Sequence, residues 1–101
     1  MYLHNTTFKV ALAHNNDFIY FIKDEIIPQY QEELELIDIV LLELLNVDME
    51  DGKTYCLHIV FKDLQGYNEY KIYKEGKLLK AIFDKYNENV LFFSSILKKV
   101  D

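Results

Sequence analysis

Two segments of this chain alternate like strands yet have no polar side. In Thr54-Tyr55-Cys56-Leu57-His58-Ile59-Val60-Phe61-Lys62 one alternate set is Tyr55, Leu57, Ile59 and Phe61, and the other still contains Cys56 and Val60. The run Val90-Leu91-Phe92-Phe93-Ser94-Ser95-Ile96-Leu97 behaves the same way, with Val90, Phe92 and Ile96 alternating against Leu91, Phe93 and Leu97. Side chains on a strand point to opposite faces in turn, so both faces of these strands want cover. Strands of this kind are usual where helices lie on both sides of a sheet, but only two long helical patterns are present, enough for one side. A partner for the second face is implied.

Tyr2 to Val10 alternates Tyr2, His4, Thr6, Phe8 and Val10 against Leu3, Asn5, Thr7 and Lys9, which predicts strand one. The cluster Asn15-Asn16-Asp17 offers N-cap side chains, and Phe18, Ile19, Ile22, Ile26 and Tyr30 recur at helical spacing. Pro28 interrupts that pattern, so the first helix is expected to end or kink there and to continue as a looser turn from Gln31 to Glu35. Leu36 to Val47 mixes helix-favouring Leu and Glu with Ile37, Ile39 and Val40, and is assigned as strand two. Asp48-Met49-Glu50-Asp51-Gly52-Lys53 has the composition of a hairpin connection and leads into strand three, which runs to Lys62. Asp63 caps a second helix with Leu64, Tyr67, Tyr70, Tyr73, Leu79, Ile82, Phe83 and Tyr86 inward and most lysines outward. Gly76 costs that helix about 1 kcal/mol relative to Ala and marks where it can divide in two. Asn87-Glu88-Asn89 breaks it before strand four.

The order β-α-β-β-α-β with right-handed crossovers predicts a ferredoxin-like, four-stranded antiparallel sheet with both helices on one face and strands one and three at its centre. A length of 101 residues with 50% hydrophobic content fits one domain over residues 1–101 with a single core. The bare second face predicts a homodimer packed sheet to sheet, of the dimeric α+β barrel type. Cys56 and Val60 lie in that interface, with large residues of strand four; which face of strand four meets the helices is open.

Charge and composition exclude several functions. All eleven basic residues are lysines, and the formal net charge is -6. The chain therefore has no guanidinium fork for phosphate and no basic stripe for a nucleic-acid backbone. No Gly-rich phosphate loop is present. One cysteine cannot make an internal disulfide, and the N-terminus lacks the basic and apolar regions of a signal peptide, so a cytoplasmic protein is expected. The longest greasy stretch, Leu34 to Leu45, is broken by Glu35, Asp38 and Glu43, which argues against a membrane span.

If Tyr55, Leu57, Ile59 and Phe61 face the helices, the open side carries Asn5, Thr7, Cys56 and His58, with Ser94 or Ser95 beside them. One reading makes this polar patch a small-ligand pocket in the cleft between sheets, with His58 as acid or base and Asn5 as an orienting or oxyanion-binding amide. The other has these groups bonding one another, water or the partner subunit. Cys56 and His58 do not form a nucleophilic pair directly, because residues two apart on a strand are about 7 Å apart. His4 lies on the opposite face and His14 in the first loop, so the histidines do not converge on a metal. The acidic hairpin lacks the alternating oxygen ligands and closing Glu of a calcium loop. The tyrosines at 67, 70 and 73 are expected as a core or rim stripe rather than a base-stacking platform. No cofactor and no metal are expected.

Five features together resemble one family: Asn5-Thr6-Thr7-Phe8-x-Val10, the Ile27-Pro28 pair, Gly52-x-Thr54-Tyr55, Val90-Leu91-Phe92-Phe93, and the closing Val100. They are similar, over nearly the whole chain, to the small bacterial proteins grouped as domain of unknown function 4286. In that family a Thr-Gly turn often precedes strand two and an Arg often sits in strand four. Here those places read Glu32-Glu33-Leu34-Glu35 and, roughly, Ser94, so no role of that Arg carries over. The resemblance implies the fold and adds no activity. Two functions stay open: a homodimeric binding or structural module, and a cofactor-light oxygenase- or isomerase-like enzyme using His58 and Asn5.

Overall fold

The strand alternation resolves into an antiparallel sheet of order β2-β3-β1-β4 in a computed structural model that describes residues 1–45 and 51–101. Its strands are β1 (Tyr2–Ala11), β2 (Asp38–Leu44), β3 (Gly52–Phe61) and β4 (Val90–Lys98). β1 and β3 are central, and they pair Asn5 with His58 and Thr7 with Cys56. A first helix over residues 15–33 and a second over residues 64–86 complete the ferredoxin-like α+β fold. The Leu36 to Val47 segment is a strand, as expected, over Asp38–Leu44. Val47 and the hairpin residues Asp48, Met49 and Glu50 lie outside the described residues.

Both helices cover one face. Phe8 and Val10 of β1 and Tyr55, Leu57, Ile59 and Phe61 of β3 form a core with Phe18, Ile22, Tyr70, Ile82 and Tyr86. Phe8 packs on Phe18 with ring centroids 5.0 Å apart, and Phe18 in turn meets Tyr55 and Tyr86 at 5.9 Å.

The middle of each helix is wound as a π-helix, over Phe21–Ile26 and over Lys71–Glu75. In the first helix the buried residues Phe18, Ile22, Ile26 and Tyr30 keep a strict four-residue step. At about 100° per residue such a step drifts by roughly 40° each time, and the looser i→i+5 winding takes up that drift. The helix does not end at Pro28. Pro28 falls in the first turn of Ile27–Glu33, just after the wide segment, where its missing N–H costs little, and regular helix replaces the expected loose turn up to Glu33.

In the second helix the buried series is Tyr70, Glu75, Leu78, Ile82 and Tyr86, and the five-residue step from 70 to 75 shifts the inward face by one residue. Tyr73 and Phe83, expected inside, are therefore exposed; Leu64, also expected inside, is exposed in the first turn of the helix, ahead of that step. Leu78 and Glu75 take their place. Asp63 caps this helix as expected, its Oδ1 accepting the Gly66 N–H at 3.0 Å. The side chains of Asn15 and Asp17 make no cap; they accept hydrogen bonds from the hydroxyls of Tyr55 and Tyr86, the latter at 2.6 Å, and so tie the first helix to the sheet and to the second helix.

Two glycines differ in role from expectation. Gly52 is not in a turn but in β3 opposite Ala11, where a Cβ would lie 2.3 Å from the Val10 carbonyl oxygen. Gly76 does not divide the helix: its backbone is helical, and a Cβ there would meet nothing within 4 Å. Gly76→Ala should therefore stabilise the fold by about 1 kcal/mol, raising Tm by roughly 4–8 °C, through the smaller entropy of the unfolded chain. Gly52→Ala should lower stability by about 1–3 kcal/mol, because backbone must move. Thermal melting of the two variants checks both signs.

Candidate functional site

The register of the sheet sorts its side chains into two faces. Opposite the helices lie Leu3, Asn5, Thr7 and Lys9 of β1, Thr54, Cys56, His58 and Val60 of β3, Asp38, Val40, Leu42 and Leu44 of β2, and Leu91, Phe93, Ser95 and Leu97 of β4. The four residues expected at a site, Asn5, Thr7, Cys56 and His58, are brought together at the centre of this open face. Ser95, paired with Asn5, is the serine that joins them; Ser94 points to the helix side, where its hydroxyl meets that of Thr6 at 3.2 Å.

Asn5 organises the centre. Its Nδ2 donates to Thr7 Oγ1 at 3.0 Å and to Ser95 Oγ at 3.3 Å, and Thr7 Oγ1 lies 3.7 Å from Cys56 Sγ. The Asn5 carbonyl Oδ1 is buried and has no hydrogen-bond partner among the described residues. Cys56 thus bonds toward Thr7 rather than His58. The half-buried His58 sits directly across from Asn5 in the register. Around this polar centre the edge strands place exposed apolar groups: Val40, Leu42 and Leu44 on β2, and Leu91, Phe93 and Leu97 on β4.

A second polar cluster on the helix side escaped the sequence reading. His4, 1% exposed, lies among the apolar residues of β1, with its Nε2 2.5 Å from Glu75 Oε2 but off the line of a good N–H···O bond. Glu75 Oε1 accepts from Lys71 Nζ at 2.5 Å. Rings of Tyr70 and Tyr67 pack on the imidazole at 4.9 and 5.9 Å, and Tyr30 lies 5.6 Å beyond Tyr70. Burial holds His4 below its ordinary value despite Glu75, so it is neutral at pH 7. Burial favours the neutral form of Glu75, but the hydrogen bond from Lys71, the adjacent His4 imidazole and the Lys71 charge outweigh it and hold the carboxyl low. Burial pushes Tyr30 up to about 12 and Tyr70 higher still. The cluster is a neutral imidazole beside a carboxylate, chemically able to move a proton, and walled off from solvent at His4. The signal available in the sequence was a histidine in the helix-facing alternate set Tyr2, His4, Thr6, Phe8 and Val10.

Other features place no reaction. The first helix ends near a concave space of about 410 Å³ lined by Glu35, Leu36, Ile37, Lys62, Asp63, Gln65, Gly66 and Glu69, which contains none of the expected site residues. Among the described residues no group of three or more His, Cys, Asp or Glu side chains is placed to hold a metal. His14 packs edge-on against Tyr86 at 5.8 Å, remote in role from the other two histidines. No helix of the described residues is long and apolar enough to cross a membrane.

The helix-side cluster makes a pH prediction with a definite sign. A histidine whose folded value is depressed from 6.5 binds its proton more readily in the unfolded chain, so its contribution is complete above 6.5 and lost as pH falls through the folded value. Glu75 acts in the same direction below 4.5. The urea midpoint should therefore fall between pH 7.5 and pH 5, and His4→Phe should flatten that part of the profile. Parallel pH profiles for the two proteins would remove His4 from the account.

Similarity to known proteins follows the same lines as the geometry. No curated protein matches the sequence. Among solved structures, a candidate antibiotic biosynthesis monooxygenase from Deinococcus radiodurans superimposes with a TM-score of 0.71 at 10% identity, covering 100% of this chain and 94% of that one. An ethyl tert-butyl ether d (ethd) family protein from Bacillus halodurans gives 0.68 at 14% identity over 99% and 100%. A candidate antibiotic biosynthesis monooxygenase from Bacillus cereus gives 0.57 at 15% identity over 99% and 95%. At these identities the likeness is one of fold. The family model described as Domain of unknown function (DUF4286) matches residues 1–100, and the chain belongs to that family.

Proposed function

We propose that this chain is a cytoplasmic homodimeric binding module of a single domain, whose two open sheet faces pack together and enclose Asn5, Thr7, Cys56, Ser95 and His58 as a small-ligand site. The observation that carries this is the pattern of the open face: a polar centre with a buried, unpartnered Asn5 carbonyl, ringed by exposed Val40, Leu42, Leu44, Leu91, Phe93 and Leu97. Four strands about 4.8 Å apart and about eight residues long outline roughly 500 Å² in plan, so a second copy covers on the order of 1,000 Å² in total, the lower range of specific interfaces. Six large exposed apolar side chains gathered on one sheet face mark an interaction surface rather than scattered surface residues. Charge does not oppose the contact. Although the chain carries -6 overall, Asp38 and Lys9 are the formal charges among the paired residues of this face, and they have opposite signs.

A cofactor-light enzyme with His58 as acid or base and Asn5 as orienting amide is the second reading. It is supported by the register, which sets the half-buried His58 across from Asn5, whose side-chain carbonyl has no partner among the described residues. His58→Ala separates the two readings: in a binding module it changes only the affinity for a ligand found by thermal shift, whereas in an enzyme it abolishes turnover of that ligand while binding persists.

Light scattering at micromolar concentration tests the assembly. The wild type should run at two chain masses or more, and Val60→Asp or Leu42→Asp, each placing a carboxylate on the open face, should halve the mass with the circular dichroism of the folded chain retained. A folded wild type at the 12.1 kDa of one chain would overturn the proposal.

A further inference from the structure

A face-to-face dimer leaves β4 unexplained. It is an edge strand of nine residues, exposed from Leu91 to Lys98. Its apolar residues lie on both faces: Leu91, Phe93 and Leu97 on the open side, Phe92 and Ile96 on the helix side, the last two 37% and 42% exposed. A copy covering the open face would leave Phe92 and Ile96 in water. Proteins commonly guard such an edge with charge, proline, a bulge or brevity. The opposite edge, β2, is shorter and carries Asp38 and Glu43, whereas Val90 to Leu97 contains no charge and no proline.

The backbone of β4 is turned so that this edge can bond. The Lys99 N–H donates to Met1 O, on the β1 side. Alternation along an antiparallel ladder then directs the backbone groups of Ile96, Ser94 and Phe92 outward, away from β1.

We infer that β4 pairs antiparallel with β4 of a second copy across a two-fold centred on Ser94. In that register Leu91 opposes Leu97 on the open face, Phe92 opposes Ile96 on the helix face, and Phe93 opposes Ser95, so every large apolar side chain of the edge except Phe93 meets another. The outward N–H and C=O groups of Phe92, Ser94 and Ile96 are those such a pair exchanges. The ends are complementary in charge: Lys98 and Lys99 of one copy come beside the Asn87-Glu88-Asn89 turn of the other. The pairing is isologous and therefore closes on itself. It joins two sheets into one of eight strands with all helices on one side, leaving the open face free for the contact proposed above. Together the two contacts make a four-chain assembly.

The test uses the full chain with two edge variants, Ser94→Pro, which removes an outward N–H, and Ile96→Lys, which places charge at the seam, alongside Val60→Asp on the open face. The wild type should scatter at four times the 12.1 kDa chain mass, and either edge variant should halve it. In the wild type the amide of Ile96 should exchange with deuterium at least 100-fold more slowly than in Ser94→Pro, and Val60→Asp should keep that protection. If the wild type is a dimer that the edge variants convert to a monomer while Val60→Asp does not, the edge pairing holds and the open-face contact fails. A mass unchanged by both edge variants, with folded circular dichroism, overturns the edge pairing whatever Val60→Asp does. A mass that grows without limit on concentration also overturns it, because that is the behaviour of a head-to-tail β4-to-β2 contact.

Discussion

Two helices cannot cover both sides of a four-stranded sheet, and the rest of this structure depends on that shortfall. The helix side absorbs the aromatic core from Phe8 to Tyr86. The other side keeps Val40, Leu42, Leu91, Phe93 and Leu97 in solvent. Each buried Leu or Phe stabilises by about 1.5–3 kcal/mol relative to an exposed one. The driving force for covering this face therefore remains unspent in the isolated chain, and the proposed association would use it.

The distribution of polar groups follows from the same constraint. Central strands carry Asn5, Thr7, Cys56 and His58 where the face is deepest, while the edges carry the apolar residues. An interface closed over this pattern surrounds polar groups with a dry margin, which strengthens their hydrogen bonds and makes the unpartnered Asn5 carbonyl costly unless a donor meets it. On the helix side the equivalent problem is met only in part within the chain: Lys71 bonds one Glu75 oxygen, while His4 lies against the other without a well-aligned hydrogen bond.

The fold was legible because its signal is local. Two-residue alternation fixed which side of β1 and β3 meets the helices, and hence which residues share the open face. Helix phase was less legible: Tyr73 and Phe83 are placed outward by the wide turn at Lys71–Glu75, and nothing in a 3.6-residue pattern announces an i→i+5 turn. The Asn15 and Asp17 side chains look like caps in sequence but serve Tyr55 and Tyr86, partners 40 and 69 residues away. His4 and Glu75 are likewise joined only by the tertiary structure. Gly52 was readable as a special position, although its purpose is the close approach of β3 to Val10 rather than a turn. The polar centre was readable as a group, and the orphaned Asn5 carbonyl within it was not, because it depends on which hydrogen bonds Thr7 and Ser95 accept.

The central claim is that a second copy covers the open face, and the chain's one cysteine reports on it directly. Cys56 lies at the centre of that face, half-buried in a single chain and enclosed in the proposed dimer. The rate of its reaction with a small disulfide reagent should rise at least 10-fold as the protein is diluted through the dissociation range, and Val60→Asp should show the fast rate at every concentration. A rate that is the same at all concentrations and in both proteins would contradict the account.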